Sequence, residues 1–172
     1  MKIDKSKKIL LDADVIIHFI KGNQTGLLNK VFKNKLFILD IVFKEVFVGC
    51  LRTTVENLIK FSIIKEIEFN SASNGIIREY LTLKKLRGKG ESACMAWCRF
   101  NNDILASSNL KDIHHYCKLH NIQYLTTMDF LLEAFMKKLL TESECDEFIY
   151  NVKSKGSKLP VNTINEYIEK YK

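Results

Sequence analysis

The chain has 172 residues, of which 47% are hydrophobic and 27% charged, with seven glycines and one proline. This length and balance fit a globular protein with one sizeable core, and they exclude collagen-like and low-complexity architectures. The apolar runs are far shorter than the roughly 20 residues of a membrane span, which excludes a membrane protein. Five cysteines, an odd number with irregular spacing, make a poor disulfide framework and indicate the cytoplasm. The net charge of +7 favours a polyanionic partner such as nucleic acid, although a solvated basic surface explains it equally well.

Short apolar runs alternate with longer segments of helical spacing along the first half of the chain. The patterns predict strands at 8–12, 36–39 and 63–69, and helices at 13–21, 27–33, 40–59 and 75–86. Gly22 is expected to cap the first helix at its C-terminal end. The helix that begins at Asp40 carries an apolar stripe formed by Phe43, Val46, Phe47, Leu51, Val55, Leu58 and Ile59.

The second half continues the alternation after a loop at 87–90. Strands are predicted at 104–107 and 122–126, and helices at 91–101, 110–120, 130–140, 142–152 and 161–171. Strands that alternate with helices predict βαβ units and a parallel sheet covered on both faces. We therefore expect a three-layer α/β/α fold with a central parallel sheet of about four or five strands. It would form one domain over 1–172, with 137–172 as a helical extension.

Acidic and amide side chains recur just after the predicted strands or at helix starts, namely at Asp12, Asp14, Glu45, Glu91, Asn109, Asp112 and Asp129. In a parallel sheet these positions converge at the carboxyl ends of the strands. Carboxylates gathered there repel one another unless they are protonated or neutralised by a cation. Asp12 is the strongest candidate, because an acid closing a buried strand has no routine structural role. For Glu91 and Asp129 taken singly, a helix cap is the better explanation.

The order of these residues resembles the PIN-domain family of metal-dependent nucleases, especially the VapC-like toxin ribonucleases of bacterial toxin–antitoxin pairs. The matching motifs are Ile9-Leu-Leu-Asp-Ala-Asp-Val-Ile-Ile, Phe43-Lys-Glu-Val, Gly88-Lys-Gly-Glu-Ser-Ala and Leu105-Ala-Ser-Ser-Asn-Leu-Lys-Asp. They extend in order over about residues 7–135. Three positions bear comparison with the family pattern. Asp14 stands where members usually have Asn, Ser or Asp, Glu91 where Asp is commoner, and Asn109 where many members have a fourth Asp.

The resemblance implies hydrolysis of phosphodiester bonds in RNA, with catalytic residues Asp12, Glu45, Glu91 and Asp112. Oxygen ligands favour Mg²⁺ or Mn²⁺, and the implied metal ligands are Asp12, Glu91 and Asp112. The metal would activate a water, and Glu45 would orient that water or complete the metal shell. Six further residues are expected to contact substrate or support the ligands: Asp14, Ser107, Ser108, Asn109, Lys89 and Lys111. RNA, a cognate antitoxin protein and a second copy of the chain in a homodimer are the implied partners.

Three alternatives stay open at this point. A degenerate PIN module would bind RNA or a partner protein without cleavage. This alternative stays open because the fourth acid is absent at Asn109, and the sequence does not show whether Asp112 replaces it. A haloacid-dehalogenase-type phosphatase also begins with Asp-x-Asp, but Ile16 stands where that family has Thr or Val. A structural zinc site would draw on Cys94, Cys98, His114 and Cys117, at separations wider than the usual knuckle.

Overall fold

A computed structural model describes residues 3–4, 6–33, 35–46 and 48–171. Its strands are β1 (Ile9–Leu11), β2 (Leu36–Leu39), β3 (Lys65–Ile67), β4 (Ile104–Ala106) and β5 (Tyr124–Leu125). They form one sheet in the order β3-β2-β1-β4-β5, and every pair is parallel. The described helices are α1 (Ala13–Lys21), α2 (Thr25–Val31), α3 (Asp40–Val46), α4 (Gly49–Lys60), α5 (Asn74–Leu83), α6 (Lys89–Asn101), α7 (Leu110–Leu119), α8 (Thr127–Met136), α9 (Glu142–Ser154) and α10 (Ile164–Tyr171). The predicted three-layer α/β/α fold with a parallel central sheet is confirmed.

The strand order reverses between β1 and β4. From β1 the chain proceeds outward through β2 to β3, and then returns to place β4 and β5 on the other side of β1. The two central strands, β1 and β4, are fully buried, as expected for a sheet covered on both faces. In open α/β sheets a ligand crevice lies beyond the carboxyl ends of the strands where the order reverses. Here that crevice lies beyond Leu11 and Ala106.

The long helix predicted over 40–59 was wrong, because the structure divides it into α3 and α4. Gly49, the first residue of α4, has a φ of +56°, which a continuous right-handed helix cannot contain and which glycine adopts without strain. Of the predicted stripe, Val55 and Leu58 are buried and Leu51 and Ile59 are half-buried. Phe47 lies outside the described residues.

Several other boundaries also differ from the predictions. β3 occupies only the centre of the predicted strand 63–69, and a 3-10 turn at Phe69–Ser71 follows it. α6 and α8 begin earlier than predicted, so Lys89 lies within α6 rather than in a loop. Gly22 is the C-cap of α1, as predicted, but its φ of −76° is right-handed, and Asn23 takes the left-handed conformation instead.

The two C-terminal helices pack against the core of the α/β unit. α9 contacts α1 and α8, and α10 contacts α8 and α9. The Phe148 ring of α9 is almost fully buried, with its centroid 5.2 Å from that of Phe19 in α1. No helix within the described ranges is both long and apolar enough to cross a bilayer.

We expect Gly22→Ala to lower the free energy of unfolding by about 1–3 kcal/mol. A Cβ atom at this position would overlap the Phe148 ring, which is itself buried and packed against Phe19. Gly26→Ala is the matched control, because a Cβ at that exposed position in α2 would meet nothing within 4 Å. Urea denaturation of both variants checks this, and equal stability of the two would contradict the close packing of α1 on α9.

Candidate functional site

Asp12 lies at the carboxyl end of β1, beside the end of β4. Its backbone N–H donates to the carbonyl oxygen of Ala106 (2.8 Å), and its Oδ1 accepts the N–H of Ala13 (2.8 Å), so the carboxylate also caps α1. The side chain is 9% exposed. Burial raises the pKa of Asp12, and the charge of Glu45 adds to the increase, although hydrogen bonds from Ala13 and Ser107 oppose it. Asp12 is therefore an acid that disfavours its own charge unless a cation is nearby.

Asp40 shows that this electrostatic state does not follow from position alone. Asp40 directly follows β2, just as Asp12 directly follows β1, and both residues are 9% exposed. Burial would raise its pKa, but Lys44 Nζ (2.7 Å from Oδ2) and the backbone N–H of Phe69 (2.8 Å from Oδ1) lower it below the usual value. Asp40 is a neutralised structural acid, whereas Asp12 has no lysine or arginine partner among the described residues.

Asp14 occupies the first turn of α1 and faces β4. The backbone N–H of Ser108 donates to its Oδ2 (2.8 Å), while its Oδ1 is buried without a hydrogen-bond partner in the described structure. Burial, followed by the charge of Asp12, raises the pKa of Asp14 to about 7. A buried carboxylate oxygen without a donor is costly, so this atom is available to a water or a bound group.

Glu91 enters the same region from the start of α6, which is buried from Gly90 to Cys98. Its exposure is 9%. Burial, Asp12 and Asp112 raise the pKa of Glu91 to about 7, against the opposing effect of Arg87. The helix-cap explanation for Glu91 was wrong, because Gly88 is the N-cap and the Glu91 carboxylate points instead to Asn109.

Asn109 connects the two acids on either side of it. Its Nδ2 donates to Glu91 Oε1 (3.1 Å) and to Asp112 Oδ2 (2.6 Å). An amide NH₂ has two donor hydrogens, so both are used by carboxylates. Asn109 and Asp112 therefore do not exclude each other as site residues, because the structure places both beside Glu91.

Glu45 reaches the site from the last turn of α3 rather than from its beginning. Its Oε2 accepts the backbone N–H of Gly90 (2.6 Å). A Cβ at position 90 would approach Glu45 Oε2 to 3.2 Å and Val42 Cγ2 to 3.3 Å, so glycine permits this close contact between α3 and α6. The contact places the Glu45 charge where it raises the pKa of Asp12.

The carboxylates of Asp12, Asp14, Glu45, Glu91 and Asp112 form an acidic rim beyond the carboxyl ends of β1 and β4. A chain of hydroxyl groups leads from this rim into the core. The Ser108 hydroxyl donates to Thr127 Oγ1 (2.9 Å), and Thr127 Oγ1 lies 2.8 Å from Nδ1 of the buried His18. Asp14 and His18 are four residues apart, and so lie on one face of α1. That spacing is the sequence signal that could have indicated the connection.

The remaining predicted residues fall into three groups. Ser107 is fully buried, with its Oγ accepting the N–H of Asn109, whereas Lys89 and Lys111 are exposed. Asp129 forms a capping box with Thr126, as the cap explanation predicted.

The residues of the zinc alternative do not come together. Cys94 and Cys98 lie on the buried side of α6, whereas the exposed His114 forms a hydrogen bond with Tyr124. Sequence reasoning missed Arg87, whose Nε donates to the carbonyl oxygen of Asp112 (3.4 Å).

The donor chemistry of this rim suits a hard divalent cation. Its charged groups are carboxylates, two of them have pKa values raised to about 7, and Asp14 Oδ1 lacks a donor. Among the described residues, no three His, Cys, Asp or Glu side chains are arranged closely enough to hold a metal ion directly. Mg²⁺ usually keeps several waters and needs only one or two carboxylates, so the residues fit a sparsely liganded ion.

We expect the stability of the protein to fall in acid because His18 must become charged. Burial, and then the charge of Lys21, lower the pKa of His18 from 6.5 to about 4. The unfolded chain therefore binds more protons between these values, and wild type should lose about 3 kcal/mol of unfolding free energy from pH 7 to 4 through this group. His18→Gln should lose that much less over the same range.

The control for this prediction is His115→Gln, on the exposed side of α7. Chemical denaturation at pH 7, 5.5 and 4 gives the three slopes. A His18→Gln variant with the same acid sensitivity as wild type would contradict a buried neutral imidazole.

A family model of the PIN domain matches residues 8–172. The chain therefore belongs to the PIN-domain family. PIN domains are generally nucleases, so the fold is of a nuclease type. Comparison with curated proteins and with solved structures gives no significant match.

Proposed function

We propose that this PIN domain is a divalent-metal-dependent ribonuclease that hydrolyses phosphodiester bonds in RNA. The observation that carries the proposal is the pair formed by Asp12 and Glu91 where the strand order reverses. Both are 9% exposed, and the charge of Asp12 helps to raise the pKa of Glu91 to about 7. Both acids can be charged at neutral pH only if a counter-charge lies between them. A divalent cation supplies that charge and also binds the phosphate oxygens of RNA.

Each residue of the rim has a role in this proposal. Asp12, Glu91 and Asp112 would hold Mg²⁺ or Mn²⁺, one or two of them directly and the rest through waters of the ion. The ion would supply an activated water and stabilise charge on the phosphate. Glu45, fixed by the Gly90 N–H, orients the attacking water. Ser107 and the Ser108 N–H fix Asp12 and Asp14. The exposed Lys89 and Lys111 contribute the salt-dependent part of RNA affinity.

Asn109 favours a second candidate, a module that binds RNA or a protein without cleaving. Its amide already satisfies Glu91 and Asp112 without any cation. In this alternative the two acids remain bridged, and the metal never binds. A toxin role with a cognate antitoxin, a homodimer and a cytoplasmic location remain predictions, as does a single domain that includes 137–172.

A cleavage assay tests the proposal. Fluorescent single-stranded RNA is incubated with the full chain in Mg²⁺, in Mn²⁺ and in EDTA, and p-nitrophenyl phosphate serves as a phosphomonoester control. We expect RNA cleavage that requires the metal and no release of p-nitrophenol. Metal-independent cleavage would refute the carboxylate mechanism. Binding without cleavage would support the second candidate, and phosphomonoester hydrolysis alone would indicate a phosphatase.

A further inference from the structure

A cavity of about 660 Å³ lies beside the acidic rim, between the β5 side of the sheet and the C-terminal segment. Ser108 belongs to both regions: its backbone N–H donates to Asp14, and it also lines the cavity. The cavity is therefore adjacent to the carboxylates rather than on a remote surface. A chain of nucleotides that crosses the rim would bring a neighbouring residue within reach of it.

Four of the twelve described residues that line the cavity carry aromatic rings. Tyr124, Tyr167, Tyr171 and His114 all contribute, together with the exposed Lys158 near Pro160. Tyr167 is 7% exposed and Tyr171 is 48% exposed, so one ring belongs to the wall and the other to the mouth. Their centroids are 4.9 Å apart.

The polar groups of the wall are held in fixed positions. Tyr167 Oη donates to Asp129 Oδ1 (3.1 Å), while the other oxygen of Asp129 accepts from Thr126 in the capping box. His114 Nδ1 lies 3.1 Å from Tyr124 Oη. These bonds fix ring orientations in advance, which lowers the entropy lost when a flat ligand stacks on them.

We propose that this cavity binds a nucleobase of a single-stranded nucleic acid whose backbone crosses the rim. Aromatic walls accept the planar face of any base, a cation at the mouth suits the attached phosphate, and the volume is within the range of small-ligand sites. This inference rests on the proposed function, because the path of the nucleic acid backbone is taken from the acidic rim. It adds a base-binding subsite formed largely by residues 124–129 and 158–171.

Binding measured without cleavage separates this inference from the proposed function. The full chain carrying Asp12→Asn is titrated in Mg²⁺, and separately in EDTA, into fluorescein-labelled hexacytidylate, its deoxy counterpart and an abasic hexaribose-phosphate, with anisotropy as the readout. Tyr171→Ala is compared with Tyr150→Ala, a tyrosine of α9 that is 70% exposed and lies outside the cavity. Tyr171 is exposed enough that its loss should not unfold the chain, and circular dichroism confirms this for both variants.

Tyr171→Ala should weaken binding of hexacytidylate about tenfold and leave abasic binding unchanged, whereas Tyr150→Ala should change neither. Lys158→Ala should weaken both probes, because its contact is with phosphate. An equal effect of Tyr171→Ala on the base-bearing and abasic probes, or no effect on either, would overturn the subsite. The deoxy probe shows whether the base comes from RNA or DNA. Base-dependent binding by a chain that never cleaves would refute only the ribonuclease proposal.

Discussion

Asp12→Asn is expected to lower metal-dependent RNA cleavage by about a thousandfold while the chain stays folded. Metal polarisation of a phosphate and its water contributes several kcal/mol, and each 1.36 kcal/mol corresponds to a tenfold change in rate. Asparagine keeps an oxygen that can accept the Ala13 N–H and cap α1, because Asn is as good an N-cap as Asp. The lost quantity is the negative charge at the carboxyl end of β1, so the effect should appear in the rate and not in stability.

Asp40→Asn provides a control matched in position, exposure and charge. It follows the neighbouring strand β2, but its partners are Lys44 and Phe69 rather than other acids. We expect this variant to lose stability in urea denaturation, because the ion pair with Lys44 is broken, and to retain the cleavage rate. Cleavage that falls equally in both variants would show that Asp12 acts only by supporting the fold. The same rates are then measured over a range of Mn²⁺ concentrations, and recovery of Asp12→Asn at high Mn²⁺ would identify weakened metal binding.

Asn109→Asp should make the stability of the protein depend strongly on divalent metal. The substitution removes the two hydrogen bonds to Glu91 and Asp112 and places a third carboxylate between them. In EDTA we expect a cost of about 1–2 kcal/mol, which corresponds to a fall in Tm of about 3–6 °C. Mn²⁺ should restore the loss and raise the Tm of the variant by more than it raises that of wild type, because the bound cation stabilises only the folded state.

The matched control for this substitution is Asn57→Asp, which adds the same charge on the exposed surface of α4. Its Tm should be close to that of wild type both in EDTA and in Mn²⁺. Thermal unfolding by fluorimetry, with and without Mn²⁺, gives all six values. If Mn²⁺ stabilises Asn109→Asp no more than wild type, the rim does not hold a cation beside Glu91. The module without catalysis would then be the better account.

Local pattern was sufficient for the elements that place the acids. The predicted bounds of β2 and of α1 agree with the observed ones. Asp12 was recognised because its carboxylic acid directly follows an apolar run. The break between α3 and α4 was missed because apolar spacing continues across it, and only Gly49 indicates the left-handed residue. The spacing of apolar residues reports which side of a helix is buried. It does not report the positive φ of Gly49, which depends on how α3 and α4 pack.

The features of the site that could not be predicted from the sequence depend on contacts between residues far apart in the chain. The alternatives Asn109 and Asp112 were treated as competitors, since spacing alone cannot show that one amide bridges two carboxylates from different helices. The network from Ser108 through Thr127 to His18 joins three separate segments. The aromatic cavity likewise needs residues from α7, β5 and α10, and no local period connects them.

The packing of Phe148 on Phe19 and Gly22 has a consequence for how the protein is made. Helix α1, which carries Asp14 and His18, is synthesised early, but part of its buried surface is supplied by α9. While the ribosome still holds the residues of α9, a nascent chain has no partner for that surface of α1. Domains form as units during translation, so the acidic rim should become ordered only after α9 has left the exit tunnel. If the proposed nuclease activity depends on this rim, it should appear only after this late helix is in place.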